Sequence, residues 1–149
     1  MRTIEATIVN SLIGKTIPPP SYSTMGAAGI DLRACLSVPI ILAPGDIQII
    51  GSGIAINIHD PNLAAVLLPR SGLGVNHGIV LANLVGLIDS DYRKEIKIAV
   101  WNRSNQPFTI NPGERICQMV FVPIVQVEFK WISELEDNQR EGFGSTGLS

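Results

Sequence analysis

The segment Gly86-Leu87-Ile88-Asp89-Ser90-Asp91-Tyr92 sets two carboxylates and a phenol into an otherwise apolar stretch. That stretch runs from Ile79 to Leu87 and resumes from Ile96 to Trp101. An ionised carboxylate is costly to bury unless it is paired or solvated, so the segment is either a turn or a site. Gly86 at its head and Arg93-Lys94 at its tail suggest a hairpin. Asp89 is then either a base that polarises water or a turn aspartate bonded to its own backbone. Tyr92 is either a flat wall for a sugar or base, or a core aromatic. Asp91 has less claim to chemistry and pairs with Arg93 or caps the turn.

Three other stretches carry polar side chains that suit an anion. In Leu68-Pro69-Arg70-Ser71-Gly72-Leu73-Gly74 a strand runs into a helix start. Free N–H groups there, the Arg70 fork, the Ser71 hydroxyl and the bare Gly72 all suit phosphate oxygens; an ordinary capped turn gives the same pattern. Gln118 is the one polar residue in the apolar run Ile116 to Phe121, and a buried amide needs partners. Near the C-terminus, Gly142-Phe143-Gly144-Ser145-Thr146-Gly147 places one ring among glycines. Such a ring can stack on a base and the glycine backbone can fold over phosphates, although a disordered tail has the same composition.

The elements that must position these groups are mostly strands. Glu95 to Val100 and Val125 to Trp131 alternate polar and apolar and read as half-buried strands. Ile47 to Ile50, Ile54 to Ile58 and Ala64 to Leu68 are further short ones. Ala43-Pro44-Gly45-Asp46, Gly51-Ser52-Gly53, His59-Asp60-Pro61-Asn62 and Asn111-Pro112-Gly113-Glu114 read as turns. One short helix is expected after Pro69-Arg70, capped by Ser71 and ended by Gly78. The pattern predicts an all-β jelly-roll-like sandwich or barrel. With 149 residues it is one domain, residues 1–133, followed by a flexible C-terminal arm, 134–149.

A net charge of −2 argues against a general nucleic-acid binder. Cys35 and Cys117 lie in apolar runs without metal-ligand spacing and read as reduced core thiols. No apolar run reaches the length of a membrane span and no leader pattern opens the chain, so a cytoplasmic protein with no membrane partner is expected. High mean hydropathy with few charges predicts apolar surface buried between subunits.

Taken in order, Gly26 to Ala34, Pro69 to Gly74, Gly86 to Asn102, Gly113 to Phe121 and Gly142 to Gly147 resemble the five motifs of the trimeric deoxyuridine triphosphatases, in their bacterial branch. The resemblance runs from about Tyr22 to Gly147. It implies a jelly-roll homotrimer that hydrolyses dUTP to dUMP and pyrophosphate with Mg²⁺. Such an enzyme limits uracil incorporation into DNA and supplies dUMP for thymidylate synthesis. Its sites lie between subunits and its C-terminal arm is exchanged. Asp89 matches the residue that activates the attacking water. Asp31 matches one near the metal-bound waters, acting through water on an ion otherwise held by the triphosphate. Arg70, Ser71, Gly72 and Gln118 match the phosphate-binding set. Asn83, Leu87 and Ile88 match the uracil pocket, with Tyr92 under the sugar and Lys97 given a contact. Phe143 matches the ring that closes over uracil, and Gly144, Ser145 and Thr146 the part of the arm over the γ-phosphate.

Two positions depart from the family pattern. Asn138 stands where the family has its γ-phosphate arginine, so either Arg140 takes that task by a shifted path or the γ-phosphate clamp is weaker. Lys94 stands where the family has glycine, which predicts a different loop conformation. A dCTP deaminase of the same fold and a non-catalytic trimeric nucleotide-binding protein are the competing readings. The uracil-type hairpin and the phenylalanine arm argue against the first, and the intact water-activating position against the second.

Overall fold

A computed structural model describes residues 1–136. Among the described residues, ten strands and one short helix form the fold: β1 (Glu5–Ile8), β2 (Ile30–Arg33), β3 (Ile40–Leu42), β4 (Ile47–Asn57), β5 (Leu63–Leu68), α1 (Ser71–His77), β6 (Ile79–Leu81), β7 (Gly86–Ile88), β8 (Glu95–Asn102), β9 (Phe108–Ile110) and β10 (Arg115–Pro123). They build two four-stranded antiparallel sheets, β1-β4-β8-β6 and β2-β10-β5-β7, with β3-β9 as a separate ribbon. This is the jelly-roll sandwich that the short alternating runs predict.

The alternation of β8 sends Ile96, Ile98, Val100 and Asn102 inward, as a half-buried strand requires. Facing residues from the second sheet, Leu32, Ala65, Leu67, Cys117 and Met119, complete the core. Full burial of each large aliphatic side chain contributes roughly 1.5–3 kcal/mol. Asn102 is the polar exception. Its Nδ2 donates to the carbonyls of Leu42 (3.0 Å) and Gln106 (2.7 Å), and its Oδ1 accepts from the Ser104 amide (3.0 Å) and hydroxyl (2.7 Å). Every polar atom of that amide is therefore satisfied and its burial is tolerated.

Two of the expected turns have the geometry their Pro-Gly pairs dictate. Gly45 (φ 85°) and Gly113 (φ 78°) each follow a proline, with Asp46 N donating to Ala43 O and Glu114 N to Asn111 O. Gly51-Ser52-Gly53 is not a turn. The two expected strands around it are one long strand, β4, and the glycines form a bulge where its register against β8 shifts. Gly53 (φ 77°) is required there, because an added Cβ would lie 2.6 Å from Ile13 Cγ1 and 2.7 Å from Cys35 Sγ.

The run Val125 to Trp131 is not a strand within this chain. Among the described residues it has no ladder partner, and Val125, Val127, Phe129 and Trp131 are 72–88% exposed. Alternation records which residues a strand buries once a neighbour is present, and the described residues offer it none. The expected hairpin around Gly86 to Tyr92 is also corrected. β7 pairs with β5, whereas β6 and β8 pair in the other sheet. Residues 89–94 thus cross between sheets.

Candidate functional site

Asp89 and the five residues assigned to the base and sugar, Asn83, Leu87, Ile88, Tyr92 and Lys97, line one cavity of about 240 Å³ together with Leu67 and Gly86. β7 supplies its floor. Gly86 lies opposite Leu67, so close that an added Cβ would sit 2.9 Å from Leu67 Cβ. Ile88 turns into the core while Leu87 faces out. Ahead of β7 the chain makes a tight turn: Val85 N donates to Asn83 O at 2.7 Å, and Leu84 between them has φ 64°. That γ-turn is a rare, strained conformation for leucine, and it brings Asn83 to the cavity mouth.

Asp89 and Tyr92 are organised by the sheet-to-sheet crossing. Tyr92 N donates to Asp89 O at 3.1 Å, which closes a turn. Tyr92 OH donates to Glu95 O at 3.0 Å, which pins the ring to the start of β8. Tyr92 is therefore a cavity wall and not a core aromatic. The Asp89 carboxylate is exposed and, among the described residues, takes no side-chain or backbone hydrogen bond. It is thus not spent on its own turn and is free to bind water. Lys94 adopts no positive φ; among the described non-glycine residues only His59 and Leu84 do. A lysine fits where the family has glycine because this loop does not ask for glycine's freedom.

The phosphate-type residues meet in a second cavity, of about 310 Å³, lined by Ser23, Ala27, Ala28, Gly29, Asp31, Arg70, Ser71, Gly72, Arg115 and Gln118. Strand pairing explains the gathering: Gln118 on β10 lies opposite Asp31 on β2 and Leu68 on β5. Gln118 Nε2 donates to Pro69 O at 3.0 Å, which holds the chain just before Arg70. Gly29 makes room for that amide, since an added Cβ would lie 2.8 Å from Gln118 Oε1. Asp31, with its side chain 17% exposed, holds Arg70 Nε (3.2 Å) on one oxygen and Arg115 Nη1 (3.1 Å) on the other. Two guanidiniums are thereby fixed on one wall by one carboxylate.

α1 begins here with Arg70, not Ser71, at its N-cap. No side chain caps it and its first turn carries no acid, so its leading N–H groups are left for another acceptor. A Cβ at Gly72 would meet nothing within 4 Å, so packing does not demand the glycine and the space above it is open. Gly78 ends the helix with φ 68°, as expected.

Among the described residues, no three His, Cys, Asp or Glu side chains assemble a metal cage. Both oxygens of Asp31 are on arginines, which suits contact with the waters of an ion brought by an anionic ligand better than direct ligation. Both cysteines are free and buried. Burial, aided by the charge of Asp31, pushes the Cys117 thiol up to about 12, and burial with Glu95 nearby raises that of Cys35. They are inert core thiols at neutral pH.

The two cavities share no lining residue within one chain. Arg140, Phe143, Gly144, Ser145 and Thr146, like Asn138, lie outside the described residues. Sequence reasoning missed Arg115, Gly29 and Leu67. Arg115 was detectable as the cation of the same turn-and-strand motif as Gln118, but its partner Asp31 is 84 residues away and only the β2–β10 pairing joins them. An apolar groove of about 460 Å³ beside β1, lined by Ile4, Ile8, Ile30, Ile56, Met119 and Phe121 among others, holds none of the expected site residues.

The dUTPase family model matches residues 15–147. The deoxyuridine 5'-triphosphate nucleotidohydrolases of Tolumonas auensis and Escherichia coli K12 are each 54% identical to this chain over 149 residues, covering 99% of both partners. Among solved structures, the dUTPase of Staphylococcus bacteriophage 80alpha with dUPNHPP superposes with a TM-score of 0.84 at 24% identity, over 99% of this chain and 100% of that one. A variant dUTPase of phage phi11 of S. aureus, described with a coordinated structural Mg(II) ion, gives 0.78 at 20% identity over 91% and 100%. At such identities these two structures speak to the fold.

Proposed function

The chain belongs to the dUTPase family and hydrolyses dUTP to dUMP and pyrophosphate, and we propose that Asp89 orients the attacking water at a site completed by several copies of the chain. The observation that carries the proposal is the separation of the two cavities. One holds the base and sugar residues with Asp89, the other holds the phosphate residues, and each is half of what dUTP needs. In a homotrimer the Asp89 cavity of one copy faces the Arg70 cavity of another, and residues 134–149 close over the pair as an exchanged arm.

Water attacks the α-phosphorus in line. The new P–O bond forms as the bond from that phosphorus to the bridging oxygen breaks, and pyrophosphate leaves with that oxygen. Asp89 accepts the proton of the water, help worth roughly 10²–10⁴-fold. Arg70, Ser71, the N–H groups after Arg70 and Gln118 hold phosphate oxygens, and positioning with charge neutralisation supplies the larger share. Mg²⁺ bound to the triphosphate would add charge neutralisation, with Asp31 reaching its waters. Uracil sits against β7, where backbone groups read its edge. Tyr92, pinned by its hydroxyl, fills the space a 2′-hydroxyl would need. Phe143 stacks on the base, Gly144, Ser145 and Thr146 cover the γ-phosphate and Arg140 grips it. Lys97 borders the base pocket.

Mixing variants tests the shared site. Asp89→Asn and Arg70→Ala each abolish most pyrophosphate release from dUTP with Mg²⁺. Co-refolded, they regain activity, because random assortment of two chain types leaves about one site in four with both halves intact. A mixture no more active than its parts, in correctly assembled trimers, refutes sharing between chains. Asp89→Asn with wild-type turnover refutes the role of Asp89. Release of ammonia from dCTP would instead indicate a deaminase.

A further inference from the structure

We propose that Arg93, Asn57 and His59 form a latch that holds the Asp89 loop in its working geometry, Arg93 acting as a positioning residue. The inference rests on Asp89 handling the attacking water. Nothing in the described chain grips the Asp89 carboxylate, so its direction is set by the backbone of residues 89–94 alone. Two of the contacts on that loop are local, Tyr92 N to Asp89 O and Tyr92 OH to Glu95 O. Two others reach far along the chain and both end at the close of β4. His59 N donates to Ser90 O at 3.3 Å, and Arg93 Nε donates to Asn57 Oδ1 at 3.0 Å. One flanks Asp89 directly and the other fixes the far side of Tyr92.

The β4 end is built for these contacts. His59 has φ 61°, a left-handed backbone that a histidine takes at a cost, and it is this turn of the chain that aims its N–H at Ser90. The Asn57 amide is oriented by opposite charges at its two ends. Its oxygen receives the Arg93 guanidinium, while its Nδ2 donates to Glu5 Oε2 (3.2 Å) and meets His59 Nε2 at 2.6 Å. A flipped amide would put its oxygen on a carboxylate and its NH₂ on a cation, so the amide has one stable orientation. Arg93 also lines a surface cavity of about 250 Å³ with Glu5 and Asn57, away from the cavity that Asp89 faces. Within one chain it lines neither cavity of the proposed site, so it acts on Asp89 through the loop.

A double-mutant cycle tests the latch, with kcat, KM for dUTP and thermal midpoint measured for Arg93→Ala, Asp89→Asn and the pair. Loss of one charge-assisted hydrogen bond at an exposed site lowers kcat of Arg93→Ala by about five- to twentyfold, with KM within about twofold and the midpoint lowered by no more than about 4 °C. Arg93→Lys restores part of the loss. In the Asp89→Asn background the same change has little further effect, since the loop no longer carries a base. Asn57→Ala, which removes the acceptor together with the contacts to Glu5 and His59, lowers kcat at least as much as Arg93→Ala. Wild-type kcat in Arg93→Ala, or an equal fold-loss in both backgrounds, overturns the latch. If Asp89→Asn itself keeps wild-type turnover, the role of Asp89 fails, whatever Arg93 shows.

Discussion

Gly29→Ala tests whether the phosphate cavity is held by the packing of Gln118. Gly29 has no positive φ, so the backbone accepts alanine and the unfolded chain loses freedom, a gain of about 0.4–1 kcal/mol. Against this, the new methyl would lie 2.8 Å from Gln118 Oε1, 3.2 Å from its Cβ and 3.4 Å from its Cδ. The Oε1 end can swing away, but doing so drags Nε2 from Pro69 O, where it sits at 3.0 Å. The Cβ cannot move without the strand. Overpacking of this kind costs about 1–3 kcal/mol, so the net loss is about 0.5–2 kcal/mol.

For a chain of this length that loss lowers the thermal midpoint by about 2–6 °C. Denaturation by scanning calorimetry at fixed protein concentration reads it, with KM for dUTP measured alongside. KM rises, because Pro69 and the Arg70 that follows it lose their tether. Gln118→Ala removes the Oε1 and Cδ overlaps, so in that background Gly29→Ala costs about 1 kcal/mol less. An equal midpoint drop in both backgrounds, or a Gly29→Ala protein as stable as wild type with an unchanged KM, refutes the packing argument.

Tyr92→Ala opens the space under the sugar and raises the kcat/KM of UTP relative to dUTP by roughly tenfold or more, measured on the two nucleotides in parallel; an unchanged ratio removes Tyr92 from sugar selection. Stability also falls at alkaline pH. Unfolding frees a thiol of ordinary value 9.0 that the fold holds at about 12, so between these limits the unfolded chain binds fewer protons. The contribution is fully present below 9.0 and lost as pH rises toward 12, with a slope of about 1.4 kcal/mol per pH unit. Denaturant midpoints of Cys117→Ala should decline less steeply over that window, the remaining slope including that of Cys35; identical slopes exclude Cys117 as the source.

Short-range chemistry was legible in the sequence, and long-range pairing was not. Asp89 and Tyr92, or Arg70 to Gly72, come as local groups, and the same few residues that announce them also shape them. The pair Asp31–Arg115 depends on β2 lying beside β10, which no local pattern states. The β4 bulge was hidden for a different reason. Gly-Ser-Gly is turn chemistry, and only the crowding of Ile13 and Cys35 around Gly53 shows that the glycine serves close packing within a strand. The split of β7 and β8 between sheets was not legible because a Gly-bounded polar turn between apolar runs looks like a hairpin whichever strands it eventually joins.

The run Val125 to Trp131 and the divided site point to the same requirement. An alternating segment left exposed with no ladder partner costs the chain apolar contact with water, and it gains stability only when another surface receives it. A carboxylate in open solvent is a weak catalyst, since water screens its field and competes with the oriented nucleophile. Asp89 has this exposure in the single chain. The assembly proposed above answers both at once: in it, a second copy that covers the exposed apolar segments also brings an Arg70 cavity against Asp89 and removes bulk water from it. On this reading the chain's exposed apolar surface is part of the catalytic design, because the contact that stabilises the assembly is the contact that completes the site.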